Sequence, residues 1–249
     1  MSDTPSLDEL WDSVPTGQGI FDPLALTNCP PSARRYLEHA IEPGTRLATA
    51  VRLSMSGEIK LNKWLPFEAE EVLIRDRGFV WCATVKMGVV RLRGFDRFVD
   101  GEGLMRWKLF GIIPVMRSSG PDVSRSAAGR FAAESVWLPS ALIPHVVERP
   151  EGRPGDLGVA LPVAGQRVDV TLSAGPSGDL RSLSLERWGE PGTGQGYGLR
   201  SFGGWVEDER SYDGYTIPTR LRAGWHFNSD RFESEGEFFR CRIEAAAFK

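Results

Sequence analysis

Phe79, Trp81, Ala83, Val85 and Met87 fall on every second position, and apolar residues keep this spacing through most of residues 47–110 and 168–248. A period of two is the signature of strands with one face in a core and the other toward solvent. Leu47, Thr49, Val51, Leu53 and Met55 form one such face, with Ala48, Ala50, Arg52 and Ser54 on the other. Pro66–Ile74, Val89–Val99 and Leu104–Phe110 continue the series, and Asp100-Gly101 between two runs is a hairpin signal. Val168–Ala174, Leu183–Arg187, Ser201–Tyr212, Pro218–Phe227 and Glu235–Phe248 extend it, with a second hairpin signal at Asp213-Gly214. The pattern predicts about ten strands and two or three helices.

One helical phrase interrupts the strands. Ser124–Val136 is rich in small residues, with Asp122 or Ser124 as N-cap, and Pro139 and Pro144 bracket a short apolar turn after it. A second helix is expected over Ser32–Ile41, after Pro30-Pro31, and a short one around Leu7–Trp11. Residues 148–158 read as a polar surface loop and 189–198 as a Gly-rich loop. A meander of long strands with one interposed helix predicts a mainly β (α+β) fold. It is a curved antiparallel sheet or half-barrel whose helices pack over the concave face, with residues 121–145 as the lid. Residues 1–27 are expected to form an N-terminal arm and 28–249 a single domain.

Composition bounds the function. A chain of 249 residues suits one all-β unit. A net charge of −3 excludes the basic profile of a nucleic-acid protein. The N-terminus MSDTPSLDELWDSV has no apolar h-region, and no run is long enough to span a membrane. Cys29, Cys82 and Cys241 are far apart and form no CxxC, which predicts reduced thiols and a cytoplasmic location.

The segments GFVWCATVKMG, DRFVDGEGLMRWKLFGIIPVM, GPDVSRSAAGRFAAESVWLPSALIP, SLERWG, SFGGWVEDE, YDGYTIPTRLRAGWHF and GEFFRCRIEAAAF resemble a bacterial family of unknown function common in actinobacteria. The resemblance spans about residues 28–248. It brings no catalytic residues. It implies an architecture similar to the LolA, LolB and LppX lipid carriers, a curved sheet around an apolar cavity with helices as a lid.

The residues offer two classes of site. Trp81, Trp107, Phe131, Trp137 and Trp225 are expected to wall a pocket for an apolar or amphipathic small molecule. Glu134, among apolar neighbours, and then Asp96 are the candidate catalytic carboxyls of a cofactor-independent cyclase or isomerase. Glu134 is equally placed to pair with Arg130 at i−4. Asp96, Asp100 and Glu102 cluster at a turn without calcium-loop spacing. Arg91, Arg93, Arg97 and Arg106 form either an anion-gripping patch or a solvated outer face paired with acids of adjacent strands. His39, His145 and His226 share no metal spacing, and Gly192–Gly196 precedes a strand, so it makes no phosphate loop. No cofactor or metal is expected. A third reading is a partner-binding protein using exposed sheet edges.

Overall fold

A computed structural model describes residues 6–147, 153, 155–191, 194 and 196–249. The predicted loops at 148–158 and 189–198 therefore lie partly outside the described residues, as do Gly192, Thr193 and Gln195 of the Gly-rich motif.

The described residues form one thirteen-stranded sheet, antiparallel throughout. Six strands come first: β1 (Ala50–Lys60), β2 (Trp64–Ile74), β3 (Gly78–Met87), β4 (Val90–Val99), β5 (Glu102–Leu109) and β6 (Ile113–Ser119). After a helical crossing follow β7 (Val146–Val147), β8 (Asp156–Val163), β9 (Gln166–Ala174), β10 (Leu180–Gly189), β11 (Gly198–Tyr212), β12 (Tyr215–Trp225) and β13 (Glu237–Phe248). The spatial order is β6-β5-β4-β3-β2-β1-β13-β12-β11-β10-β9-β8-β7, so the two ends of the chain meet mid-sheet and the edges are β6 and β7.

This order dictates the lid. The chain leaves the sheet at one edge and must re-enter at the other, and the connection covers the inner face on its way. It consists of α3 (Pro121–Glu134) and three short 3-10 turns ending at His145. At 14 residues α3 is about 21 Å long, and it packs on β3–β6 and on β8–β10. Gly120, at φ 108°, turns the chain into the helix, and Pro121 occupies the first turn.

The predicted N-cap is corrected. Neither Asp122 nor Ser124 caps α3, because both side chains are used across it. Trp188 Nε1 of β10 donates to Asp122 Oδ1 at 2.9 Å, and the Gly103 amide of β5 donates to Ser124 Oγ at 2.9 Å. The first turn is thereby tied to both halves of the sheet.

Beyond α3, Pro139 and Pro144 interrupt the helical hydrogen-bond ladder. Trp137 Nε1 donates to the Pro218 carbonyl at 3.0 Å, and Ser140 Oγ to the Ala48 carbonyl at 2.7 Å. The Ala48 amide in turn donates to Tyr215 Oη at 2.8 Å, and Tyr215 Oη donates to the Arg46 carbonyl at 2.7 Å. Two further helices flank the sheet. The second, α2 (Pro31–Ala40), buries Ala33, Tyr36, Leu37 and Ala40 against the main core. The first, α1 (Leu7–Asp12), lies on the outer face, where Leu7, Leu10 and Trp11 pack with Val14, Ala50, Val72 and Ile74. Ala50 is thus buried from outside.

Thirteen strands stand where about ten were expected. β6 escaped because its residues are exposed at an edge and do not alternate, and β7 because it has two residues. β1 begins at Ala50, not Leu47, since residues 46–49 are held by Tyr215, Ser140 and the C-terminal Lys249.

Replacing Tyr215 by Phe removes the acceptor of the buried Ala48 amide and the donor to the Arg46 carbonyl. The expected cost is about 1–3 kcal/mol, read as a lower urea midpoint with an unchanged m-value.

Candidate functional site

Sheet register places one row of side chains across the concave face: Leu53, Glu71, Trp81, Asp96 and Met105, on β1 to β5 in order. α3 lies above this row and lowers Arg130 onto it. Arg130 Nη1 donates to Asp96 Oδ2 at 2.9 Å, and its Nε donates to Glu134 Oε1, one turn further on, at 2.6 Å. Its guanidinium also sits 4.6 Å from the Phe79 ring centre and 5.0 Å from that of Trp81. Trp107 Nε1 holds the other oxygen of Asp96 at 3.0 Å.

Glu71 is fully buried behind this pair. Its two oxygens and Glu134 Oε2 have no hydrogen-bond donor among the described residues. Burial, then the negative charge of Glu134, pushes the Glu71 carboxyl well above its ordinary range. Burial also raises Asp96, against the opposing pull of Arg130 and the Trp107 hydrogen bond. For Arg130 burial opposes the charge, but Glu134, Asp96 and Glu71 outweigh it and hold the guanidinium more firmly protonated than usual.

A second arginine completes the balance. Arg187 of β10 lies 4.7 Å from the Phe202 ring centre and 5.2 Å from that of Trp225, and its Nε donates to the Ser126 carbonyl at 3.1 Å. Burial, reinforced by Arg130, lowers its pKa to about 10, so it remains a cation at neutral pH. Two guanidiniums, of Arg130 and Arg187, thus stand among the carboxyls of Glu71, Asp96 and Glu134. Gly129 of α3 makes this approach possible, since a Cβ there would stand 2.9 Å from Arg187 Cγ.

Beside the cluster is a cavity of about 240 Å³. Its apolar wall includes Ile59, Met105, Val136, Leu183, Leu221 and Phe239, and Trp81 and Trp137 stand among them. Asp96, Arg130, Glu134 and Arg187 form the polar part of the wall. The structure therefore brings Glu134 and Asp96 together at one arginine. Of the five aromatic residues expected at a pocket, Trp81 and Trp137 reach the cavity. The others stand behind the wall: Trp107 carries Asp96, Phe131 packs on Phe98 at 6.0 Å, and Trp225 packs on Phe202 at 5.2 Å and on Arg187. A larger, more polar groove of about 570 Å³ lies on the other flank of α3, between Arg125 and β9–β11.

The sequence reading passed over Glu71 and Arg187, yet strand parity marks both. Glu71 shares a face with Phe67 and Leu73, and Arg187 with Leu183 and Leu185.

Other candidates disperse. Asp100 is a turn residue at φ 54° beside Arg77, and Glu102 is exposed, so the acidic trio does not converge. His39 Nε2 contacts Glu209 Oε2 at 2.9 Å, His145 ends a 3-10 turn, and His226 is a turn residue at φ 55°. Among the described residues no group of three His, Cys, Asp or Glu side chains could hold a metal ion. None of the described helices is long and apolar enough to cross a membrane.

The sequence decides the family. Residues 27–248 match the model of the family of unknown function DUF6920. The chain belongs to that family. No functionally curated protein matches it significantly. In fold it is similar to a protein described as an outer membrane lipoprotein-sorting protein domain, from Vibrio parahaemolyticus. The identity is 9%, covering 80% of this chain and 85% of that one, with a TM-score of 0.41. It is also similar to a LolA superfamily protein from Nitrosomonas europaea, at 8% identity over 88% and 92% of the two chains, with a TM-score of 0.45.

The buried proton has a signature. A carboxyl whose pKa is raised on folding favours the native state at low pH, and this advantage fades as pH rises above the unfolded value near 4.5. The wild type is expected to lose stability as pH rises from there, by up to about 1.4 kcal/mol per pH unit for one proton. Glu71→Gln keeps the shape without titrating, so its urea-derived stability gains on the wild type as pH rises.

Proposed function

We propose that the protein binds one amphipathic small molecule, its apolar portion in the cavity and its polar end at Arg130 and Arg187. The observation that carries this reading is the wall itself: apolar on most sides and closing on a charge-balanced cluster at one. A volume of about 240 Å³ falls just under the roughly 300–1,000 Å³ of drug-sized ligand sites. It suits a single tail or a small ring system, not several acyl chains. The unpaired cysteines Cys29, Cys82 and Cys241 support a reducing, cytoplasmic setting. The net charge of −3 favours a small molecule over nucleic acid as the cavity's partner.

Filling the cavity tests the reading. An apolar fluorescent probe is expected to bind the wild type saturably at one site. Ala223→Phe, which projects a ring into the cavity from β12, should weaken binding by roughly tenfold to a hundredfold. Native mass spectrometry of the freshly purified protein should show the natural occupant. An empty protein with no saturable probe site would end this proposal.

A second reading rests on the carboxyls at the cavity wall. Glu134 lines the cavity beside the raised Glu71 carboxyl, and its Oε2 has no hydrogen-bond donor among the described residues, so a carboxyl oxygen is free to meet a ligand there. This suits a cofactor-independent cyclase or isomerase acting on a largely apolar metabolite, with Asp96 fixed by Arg130 and Trp107. Incubation with an apolar metabolite extract should then form a product that Glu134→Gln does not form, while probe binding survives the substitution. Loss of both, or of neither, would count against a catalytic role for Glu134.

A further inference from the structure

In an antiparallel meander alternate turns fall at the same end of the sheet, so the β1–β2, β3–β4 and β5–β6 turns share one rim. These three tips carry Leu61, Val89, Phe110 and Ile112, and Ile113 follows. They are 52%, 93%, 52%, 78% and 58% exposed. The turns at the opposite end of the same strands are Arg75-Asp76-Arg77 and Asp100-Gly101. Single exposed apolar residues are ordinary, but five on adjacent tips at one end form a patch.

Directly below the patch the outer face is basic. Strand register sets Lys86 opposite Arg91, Arg93 opposite Lys108, and Arg106 opposite Arg117. Like charges in facing positions destabilise a sheet. Three such pairs in succession are retained although Glu102, at the far end, is the one outward carboxylate of β4–β6. Glu68 of β2 reaches Lys86 at 2.5 Å, which leaves the excess positive. The sequence reading allowed for acids on neighbouring strands to pair with Arg91, Arg93, Arg97 and Arg106. The register also places cations opposite Arg91 and Arg93.

We propose that this half of the sheet docks on an anionic lipid surface, with the apolar tips in the interface and the basic face on the headgroups. A protruding apolar edge beside a band of Lys and Arg is the arrangement that interfacial binding needs, because burial and charge attraction add. A nucleic-acid partner would use the basic face and leave the tips in water. A second copy would bring like charge to like charge. The inference does not depend on occupancy of the cavity.

Flotation of the full chain with vesicles tests it. Binding is expected with phosphatidylcholine vesicles containing about 30% phosphatidylglycerol and not with phosphatidylcholine alone, and it should weaken as salt rises. Ile112→Asp and Arg93→Glu should each lower binding by more than about tenfold without lowering the urea midpoint, since both sites are exposed and Arg93→Glu exchanges a like-charge pair with Lys108 for an opposite-charge one. Ala223→Phe should leave vesicle binding intact, which separates this result from that of the cavity. Absence of binding to anionic vesicles would overturn the proposal, as would binding indifferent to both substitutions. A concentration-dependent dimer abolished by Ile112→Asp would assign the tips to a second copy. Retention of single-stranded DNA that Arg93→Glu removes and Ile112→Asp does not would assign the face to nucleic acid.

Discussion

A thirteen-stranded sheet whose edges are β6 and β7 has an inner face that its own strands leave uncovered, and a single connection must run from one edge to the other. The crossing of α3 is that connection, and most of the molecule follows from it. It turns a curved sheet into an enclosed core and sets one helix over strands from both halves. Through Asp122 and Ser124 it links β10 to β5, strands far apart in the sheet. Each remaining inward residue is chosen for what it meets on the underside of this helix or on the far wall.

The polar residues under α3 are the exception to an apolar core. Burying charge is costly unless the partners are close and the lone pairs are filled. Here one guanidinium spans two carboxyls from different elements, two aromatic faces lie beneath it, and burial pushes a third carboxyl, Glu71, toward its neutral form. The arrangement fixes the rotation of α3 about its axis, because turning the helix would move Arg130 away from Asp96 and leave it uncompensated. Apolar packing alone, with the small side chains of Ala127, Ala128, Ala132 and Ala133, would tolerate more than one orientation. The cluster therefore defines where the cavity can lie.

The fold was largely legible because strand parity and turn chemistry are local. Phe79, Trp81, Ala83 and Val85 all turn inward as their spacing requires, and Asp100-Gly101 and Asp213-Gly214 form the tight turns expected of them. β8 also alternates, through Leu157, Val159, Leu161 and Val163, but its first residues sit in a Pro/Gly-rich connection and read as loop. The site was legible only in pieces. Asp96 and Glu134 stood out by their neighbours, while Glu71 lies in the phrase Glu68-Ala69-Glu70-Glu71, where alternate acids face water and only parity sets one apart. Which carboxyl meets which arginine depends on where α3 is laid across the sheet, which brings Arg130 to Asp96 across 34 positions of chain and is not a matter of local periodicity.

The pairing of β1 with β13 joins the first strand of the sheet to the last one synthesised. A growing chain can lay down β1 to β6 as successive hairpins, but the open edge of β1 has no partner until β13 has been made, about 180 residues later. Val51 then meets Phe248, and the Ala50 amide and carbonyl both bond the terminal Lys249. Closure of the sheet thus waits on β13, and loss of that strand would leave a long edge bare at the centre of the molecule.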